Sequence, residues 1–375
     1  MSQISFREFY LENILTFLWR QWSALGVAGG ARAAENWVID PEALLIFSLQ
    51  ITRYEPRLFD EILDWLVING KWIDIHRLRG ILRRKDENTQ RLISAIAYYL
   101  SKEAKSYQRK WSVLGTLRKL DSDVQSEMLF QTKQGKPYPK SAVDSKESRV
   151  KGVESRESRG SAIFRDYGFL RKSFSLRKMS KPVSVIARTN IRFLLRALFG
   201  IGSRSECILY LLTNEAGHPA EVANAIGISV RGAQDTLIEL ANSGMVFTRV
   251  KGKRLMEYWL PQERWWEFLF GMSFEEIKTP VWLDWISLFT ALMNVWQVLN
   301  EVKEIESDYM RSSKLRKSME TISFEFKNSQ LVLPPIPGKD VSPARYEEEF
   351  QNFIKRVIGV GSRGSLGSLG NQGSQ

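Results

Sequence analysis

Between Arg204 and Pro261 the apolar positions change period twice. Cys207, Ile208, Tyr210, Leu211 and Leu212 recur at helical spacing and predict a helix that Ser203 or Ser205 caps. It runs out at Asn214-Glu215-Ala216-Gly217, where Gly217 suits a left-handed C′ position. Pro219 opens a second helix, Ala223 lets a neighbouring helix approach, and Gly227 ends it. Ile228 plugs the turn, and Ser229 caps a third helix reaching Ala241. On that helix Ala233, Leu237 and Leu240 share one face, while Arg231, Gly232, Gln234 and Asp235 lie outward near its N-terminal end. After Asn242-Ser243-Gly244 come two β-prone runs, 245–250 and 255–260. They flank Lys251-Gly252-Lys253-Arg254, a glycine-containing hairpin loop with three cations.

The remaining pattern divides the chain into further parts. Residues 1–120 read as a helical N-terminal domain: Asp40 caps a helix starting at Pro41, Pro56 opens another that stops at Asn69-Gly70, and 72–75 looks β-like. Asp60, Glu61 and Asp64 read as a solvated acidic face, since no histidine joins them as metal ligands. Residues 121–182 read as a basic low-complexity linker. Its "DSKESRVKGVESRESRG" offers too little apolar surface to offset ordering, and 163–182 interleaves aromatics with cations. That interleaving suits either pinning to a domain or stacking on nucleic acid. The central module spans 183–262. It opens with a helix over 184–199, on which Arg188, Arg192 and Arg196 form a stripe, readable as a solvated face or as a rest for a DNA backbone. A helical interaction region, 263–358, follows. Its Trp282, Trp285, Leu288, Phe289, Leu292 and Trp296 recur at helical spacing, as an intrachain core or a dimer seam. Residues 322–333 look like two short strands, 343–358 like a helix, and 359–375 like a disordered Gly/Ser-rich tail.

The stretches "HPAEVANAIGIS", "SVRGAQDTLIELANSGMV" and "KGKRLMEYWL" resemble winged helix-turn-helix regulators of the ArsR-like and MarR-like kind. With "DPEALLIFSL", "RYEPRLFDEILDWL" and "FLLRALFGIGSRSE", the layout is similar to bacterial winged-helix proteins that carry an extra helical N-terminal domain. The resemblance implies a mainly α, multi-domain chain with a small β-wing, its central winged helix-turn-helix flanked by helical regions. It further implies sequence-specific binding of double-stranded DNA by a transcription regulator. The helix 229–241 would enter the major groove, where Arg matches guanine and Gln matches adenine. The DNA-binding residues would be Ser229, Arg231, Gly232, Gln234, Asp235 and Arg249, with Lys251, Lys253 and Arg254 on the backbone. Such regulators dimerise through flanking helices, so a homodimer is one expected partnership. The alternative is a protein-interaction module, the regulatory partner of a neighbouring toxin- or defence-type enzyme. Asp235 favours that alternative, because it faces phosphates unfavourably.

Charge adds a basic excess upstream of this module. The chain carries +12 overall, of which 131–182 contributes +9 from fourteen cations and five acids. One cysteine, Cys207, allows no disulfide framework and suits a reducing cytoplasm; it reads as buried packing. The N-terminal sequence lacks the basic start of a signal peptide. The apolar run 281–299 is interrupted by Asp284, Asn294 and Gln297, so no membrane partner is expected. With only His76 and His218 beside Cys207, no Cys/His zinc site can be assembled. "GIGSRSE" lacks the spacing and lysine of a phosphate-binding loop. No nucleophile, base and orienting acid can be nominated together. The expectation is therefore no catalytic residue, no metal, no cofactor and no enzyme.

Overall fold

The computed structural model describes residues 2–29, 37–104, 107–115, 126–138, 156–252, 255–338 and 340–362. The expectations for Lys253, Arg254, most of the E-S-R repeat and the tail beyond Ser362 lie outside these residues. The chain is mainly helical, with two two-stranded sheets among the described residues. In order it forms α1 (Gln3–Ala24), α2 (Pro41–Ile51), α3 (Pro56–Asn69), α4 (Ile75–Leu82), α5 (Glu87–Glu103) and α6 (Gln108–Gly115). Then come β1 (Glu127–Met128), α7 (Arg156–Asp166) and β2 (Phe169–Leu170), followed by α8 (Ile191–Phe199), α9 (Ser203–Thr213), α10 (Pro219–Ile226) and α11 (Val230–Asn242). The hairpin β3 (Phe247–Lys251) and β4 (Leu255–Trp259) precedes α12 (Gln262–Phe270), α13 (Trp285–Val302), α14 (Asp308–Asn328) and α15 (Pro343–Ser362).

Two regions expected as strands form none. At 72–75, the Asp74 carboxylate accepts the backbone N–H groups of His76 (2.9 Å) and Arg77 (3.1 Å), so a cap starts α4 where β-branched residues had suggested a strand. At 322–333, α14 runs on to Asn328, because Leu315, Met319, Ile322 and Phe326 continue one buried helical stripe.

Internal contacts group the chain into two units: Met1–Ala24, Arg32–Leu44 and Ser184–Gln375 in the first, Leu25–Ala31 and Leu45–Val183 in the second. In the first unit, α13 packs against α1 and α14, and α15 against α1 and α14. The Trp282–Trp296 stripe expected as a core or a dimer seam is buried here within the chain. The Tyr10 hydroxyl, on α1, donates to the Leu292 carbonyl at 2.7 Å.

The basic stripe expected on the helix over 184–199 is corrected. Arg188 is exposed in a 3-10 turn, whereas Arg192 and Arg196 on α8 are buried. Arg196 grips Glu42 with both terminal nitrogens (2.8 and 3.0 Å) and reaches Glu206 at 2.6 Å. Arg192 bonds the other Glu206 oxygen, donates to the Ile39 carbonyl (3.2 Å) and lies 3.4 Å from Asp40. Glu206, on α9, thus takes both guanidiniums on one carboxylate. Burial of these charges is tolerable only because each is paired and hydrogen-bonded.

In the second unit, α5 packs on α3, α6 and α7. The segment expected as a linker supplies core here: Leu129, Ile163, Phe164, Tyr167 and Phe169 are buried. The acids of α3 are not a solvated face either, since Glu61 and Asp64 are buried and bonded to residues 177–180. The interleaved aromatics take the pinning role. Arg171 pairs with Asp60 at 2.7 Å and sits 3.6 to 5.6 Å from the ring centres of Phe59, Phe130, Phe164 and Phe174.

Buried phenols give the fold an alkaline weakness. Burial raises Tyr10, Tyr99 and Tyr210, and pushes Tyr107, Tyr167 and Tyr346 up to about 12. An unfolded chain releases these protons near pH 10 while the folded chain keeps them, so stability falls as pH climbs through the window above 10. Urea midpoints measured from pH 8 to pH 11 are expected to drop steeply above pH 10. A midpoint that stays level to pH 11 contradicts this burial.

Candidate functional site

The best-organised polar surface lies on α9, α10, α11 and the hairpin. Val222, Ile226, Leu237 and Leu240 pack with Cys207–Leu212 residues in one buried core, and Ala223 is buried as well. Local sequence sets each junction. Gly217 is not left-handed, as first expected, and its glycine is required by close approach instead. A Cβ there would lie 2.6 Å from Val222 and 2.7 Å from Tyr210, and Gly217 exchanges two 2.9 Å backbone hydrogen bonds with Tyr258 of β4. His218 caps α10: its Nδ1 accepts from Ala220 N–H at 3.3 Å. Gly227 takes the left-handed position (φ +73°) that turns the chain toward α11.

Ser229 Oγ accepts the Gly232 N–H at 3.1 Å and so fixes the start of α11. Ala233, Thr236, Leu237 and Leu240 are buried, and Thr236 also donates to Ser203 on α9 (2.7 Å). The opposite face meets solvent. Arg231 is 93% exposed, Gln234 is exposed, and Gly232 is half-buried. Asp235 is also exposed, one turn on, with its carboxylate 3.7 Å from Arg231. Four predicted residues therefore share one exposed helical end, but its charge is divided. Glu239 further along is exposed and paired with Arg204 at 2.9 Å.

On the hairpin, Arg249 and Lys251 stand two apart on β3 and face Glu257 of β4. Glu257 takes Arg249 and Lys251 at 3.0 Å each, and Arg249 also reaches Glu215 at 2.9 Å. The hydrogen bond from Lys251 holds the Glu257 carboxyl below its ordinary range. Glu215 and Glu257 were missed from sequence. The signal for Glu257 was its antiparallel register opposite Arg249; Glu215 had none, lying 34 residues away. Beside these ion pairs the surface is apolar: Phe247, Val250, Leu255 and Met256 are exposed on the hairpin, and Val230 and Ile238 on α11.

Among the described residues no three His, Cys, Asp or Glu side chains gather as metal ligands, and no helix is long and apolar enough to cross a membrane. Cys207 is buried, its thiol pushed up to about 12 by burial. No protein-family model, no curated protein and no solved structure matches this chain.

Proposed function

We propose that this protein is a sequence-reading, double-stranded DNA-binding regulator of transcription acting in the cytoplasm. In this reading α9, α10, α11 and the β3–β4 hairpin form a winged helix-turn-helix of the ArsR-like or MarR-like kind. The supporting observation is the geometry of α11. A capped, well-packed helix holds Arg231 and Gln234 in solvent near its N-terminal end, the part that meets base edges when such a helix lies in a major groove. Arg231 reads guanine and Gln234 adenine. Lys251, with Lys253 and Arg254 of the sequence between β3 and β4, adds phosphate contact.

Selection of duplexes from a random pool is expected to enrich a motif. Arg231→Ala should then weaken binding to the selected duplex by about 1–3 kcal/mol while leaving random duplex almost unchanged. Equal losses on both duplexes, or no enriched motif, would sink the assignment.

A second reading, a protein-interaction module serving a neighbouring enzyme, draws on the exposed Phe247, Val250, Leu255 and Met256, and on Asp235 and Glu239 along α11. Apolar surface rimmed by charge suits a protein partner better than phosphate. Motif enrichment from the random pool separates the two readings: a module of that kind enriches none, whatever its retention on bulk duplex.

A further inference from the structure

The basic excess and the helix-hairpin region belong to different units. The unit comprising 25–31 and 45–183 holds 29 Lys and Arg against 16 Asp and Glu, a balance of +13. The other unit holds 25 against 26, a balance of −1. Long-range attraction to a polyanion therefore originates in the unit that lacks α11. Like charge at this density disfavours a compact state through self-repulsion, so it calls for a counter-charge.

Within this unit a group of cations gathers around α4 and α6. Helix α6 sits on the corner between α3 and α4. Trp111 donates to the Gly70 carbonyl (3.3 Å), Tyr107 to the Leu66 carbonyl (2.6 Å), and Lys110 Nζ to the Lys71 carbonyl (2.5 Å). These bonds bring Lys71 and the Arg109-Lys110 pair to one end of α4. Along α4, Ile75, Leu78, Ile81 and Leu82 are buried, while His76, Arg79 and Arg83 occupy the outward stripe, with Arg84 just beyond. Among the described residues, Arg79, Arg83, Arg84 and Arg109 have no ion pair. Elsewhere in the same unit Arg53, Arg171 and Arg177 are matched with Glu127, Asp60 and Glu61. The nearby acids are committed or few: Asp74 is buried as the α4 cap, Asp86 caps α5, and Glu87 is exposed. An eight-residue helix is about 12 Å long, enough to span two or three phosphates of a duplex.

We infer that the α4–α6 face, through Arg79, Arg83, Arg84, Arg109 and Lys71, binds the phosphodiester backbone of duplex DNA without reading its sequence. This goes beyond the groove-reading role of α11 and stands or falls separately from it. This face supplies most of the affinity for any duplex, and discrimination between duplexes comes from elsewhere.

The test uses the full chain and a fluorescent duplex of random sequence, titrated at several salt concentrations. Replacing Arg83, Arg84 and Arg109 together by Ala removes exposed side chains only. It should lower affinity by at least about tenfold and flatten the log–log salt slope by roughly 2–3 units, near 0.9 per lost phosphate contact. Replacing Lys136, Arg159 and Arg165 by Ala removes the same charge from exposed positions elsewhere in this unit, and should change affinity less than about threefold. Equal losses for the two triple variants would show a net-charge effect and overturn the assignment, as would an unchanged slope in the first. Vesicles of anionic phospholipid and an RNA duplex are run in parallel. A first-variant loss confined to either of them, with duplex DNA unaffected, also overturns it. Arg231→Ala should leave the random-duplex slope intact, so failure of the α11 reading and failure of this face give different results.

Discussion

Glu206→Ala is expected to destabilise the first unit by about 3–5 kcal/mol, the range for removing one partner of a buried charge cluster. Arg192 and Arg196 are fully enclosed and both direct hydrogen bonds to this carboxylate. Without it, Arg196 keeps Glu42 and Arg192 keeps Asp40 and the Ile39 carbonyl, but each guanidinium retains a desolvated donor. A water entering the vacated space restores only part of what is lost, because it accepts without supplying the negative charge. Glu206→Gln fills the same volume and can still accept, so it should lose less. Urea unfolding followed by tryptophan fluorescence checks this, with Trp282 a local reporter whose ring lies 5.8 Å from the Arg192 guanidinium. The transition belonging to the first unit should move and that of the second should stay. A loss under about 1 kcal/mol, or equal movement of both transitions, would show that the cluster is not what holds α8 to α9. Because α9 supports α11, the preference for a selected duplex that the proposed function assigns to α11 should fail together with this transition and not before it.

The prominence of that cluster explains where sequence reading succeeded and where it stopped. The order α9, α10, α11 and hairpin was legible because its signals are local: a cap at Ser229, a left-handed Gly227, and a period that drops to two after Gly244. The polar face of α11 followed from spacing alone. Arg192 and Arg196 could not be assigned this way. Four-residue spacing of arginines looks the same whether the stripe meets water or carboxylates, and Glu42 lies 154 residues from its partner. The acids of α3 misled for the same reason, since their ligands are more than a hundred residues downstream. Strand signals at 72–75 and 322–333 yielded to a cap and to a buried helical stripe. What the α11 surface binds was carried by resemblance, and the divided charge on its exposed face shows why composition could not decide it.

The segment leading out of the second unit should come loose when Asp64 is replaced. Residues 171–183 have no regular structure, yet α3 holds them along their length. Asp60 takes Arg171, Glu61 takes Arg177, and Asn69 both donates to the Lys181 carbonyl and accepts from Val183 N–H, each at 3.0 Å. Between them the buried Asp64 carboxylate accepts three backbone N–H groups, those of Lys178 (2.9 Å), Met179 (2.9 Å) and Ser180 (3.0 Å). Lys178 sits at φ +54°, a left-handed conformation that costs a non-glycine residue about 1–2 kcal/mol and persists because the acceptor holds it. Asp64→Ala removes all three bonds and the reason for that conformation. The freed N–H groups can turn to water, which limits the loss to about 2–4 kcal/mol. The readout is local: amide exchange at 178–180 should accelerate strongly, and trypsin should cut at Arg177 or Lys178 under conditions that leave the parent whole. Asp64→Asn keeps one acceptor oxygen and should fall between. Arg171→Ala supplies a contrast, because Arg171 both pairs with Asp60, whose carboxyl is raised by desolvation, and fills a cage of rings. Losing Arg171 should cost stability both through the emptied ring cage and through the Asp60 carboxylate left without its partner, and Arg171→Met, which refills the cage without charge, should recover only the first part. Unchanged exchange at 178–180 in Asp64→Ala would mean that the two flanking ion pairs hold the segment without it.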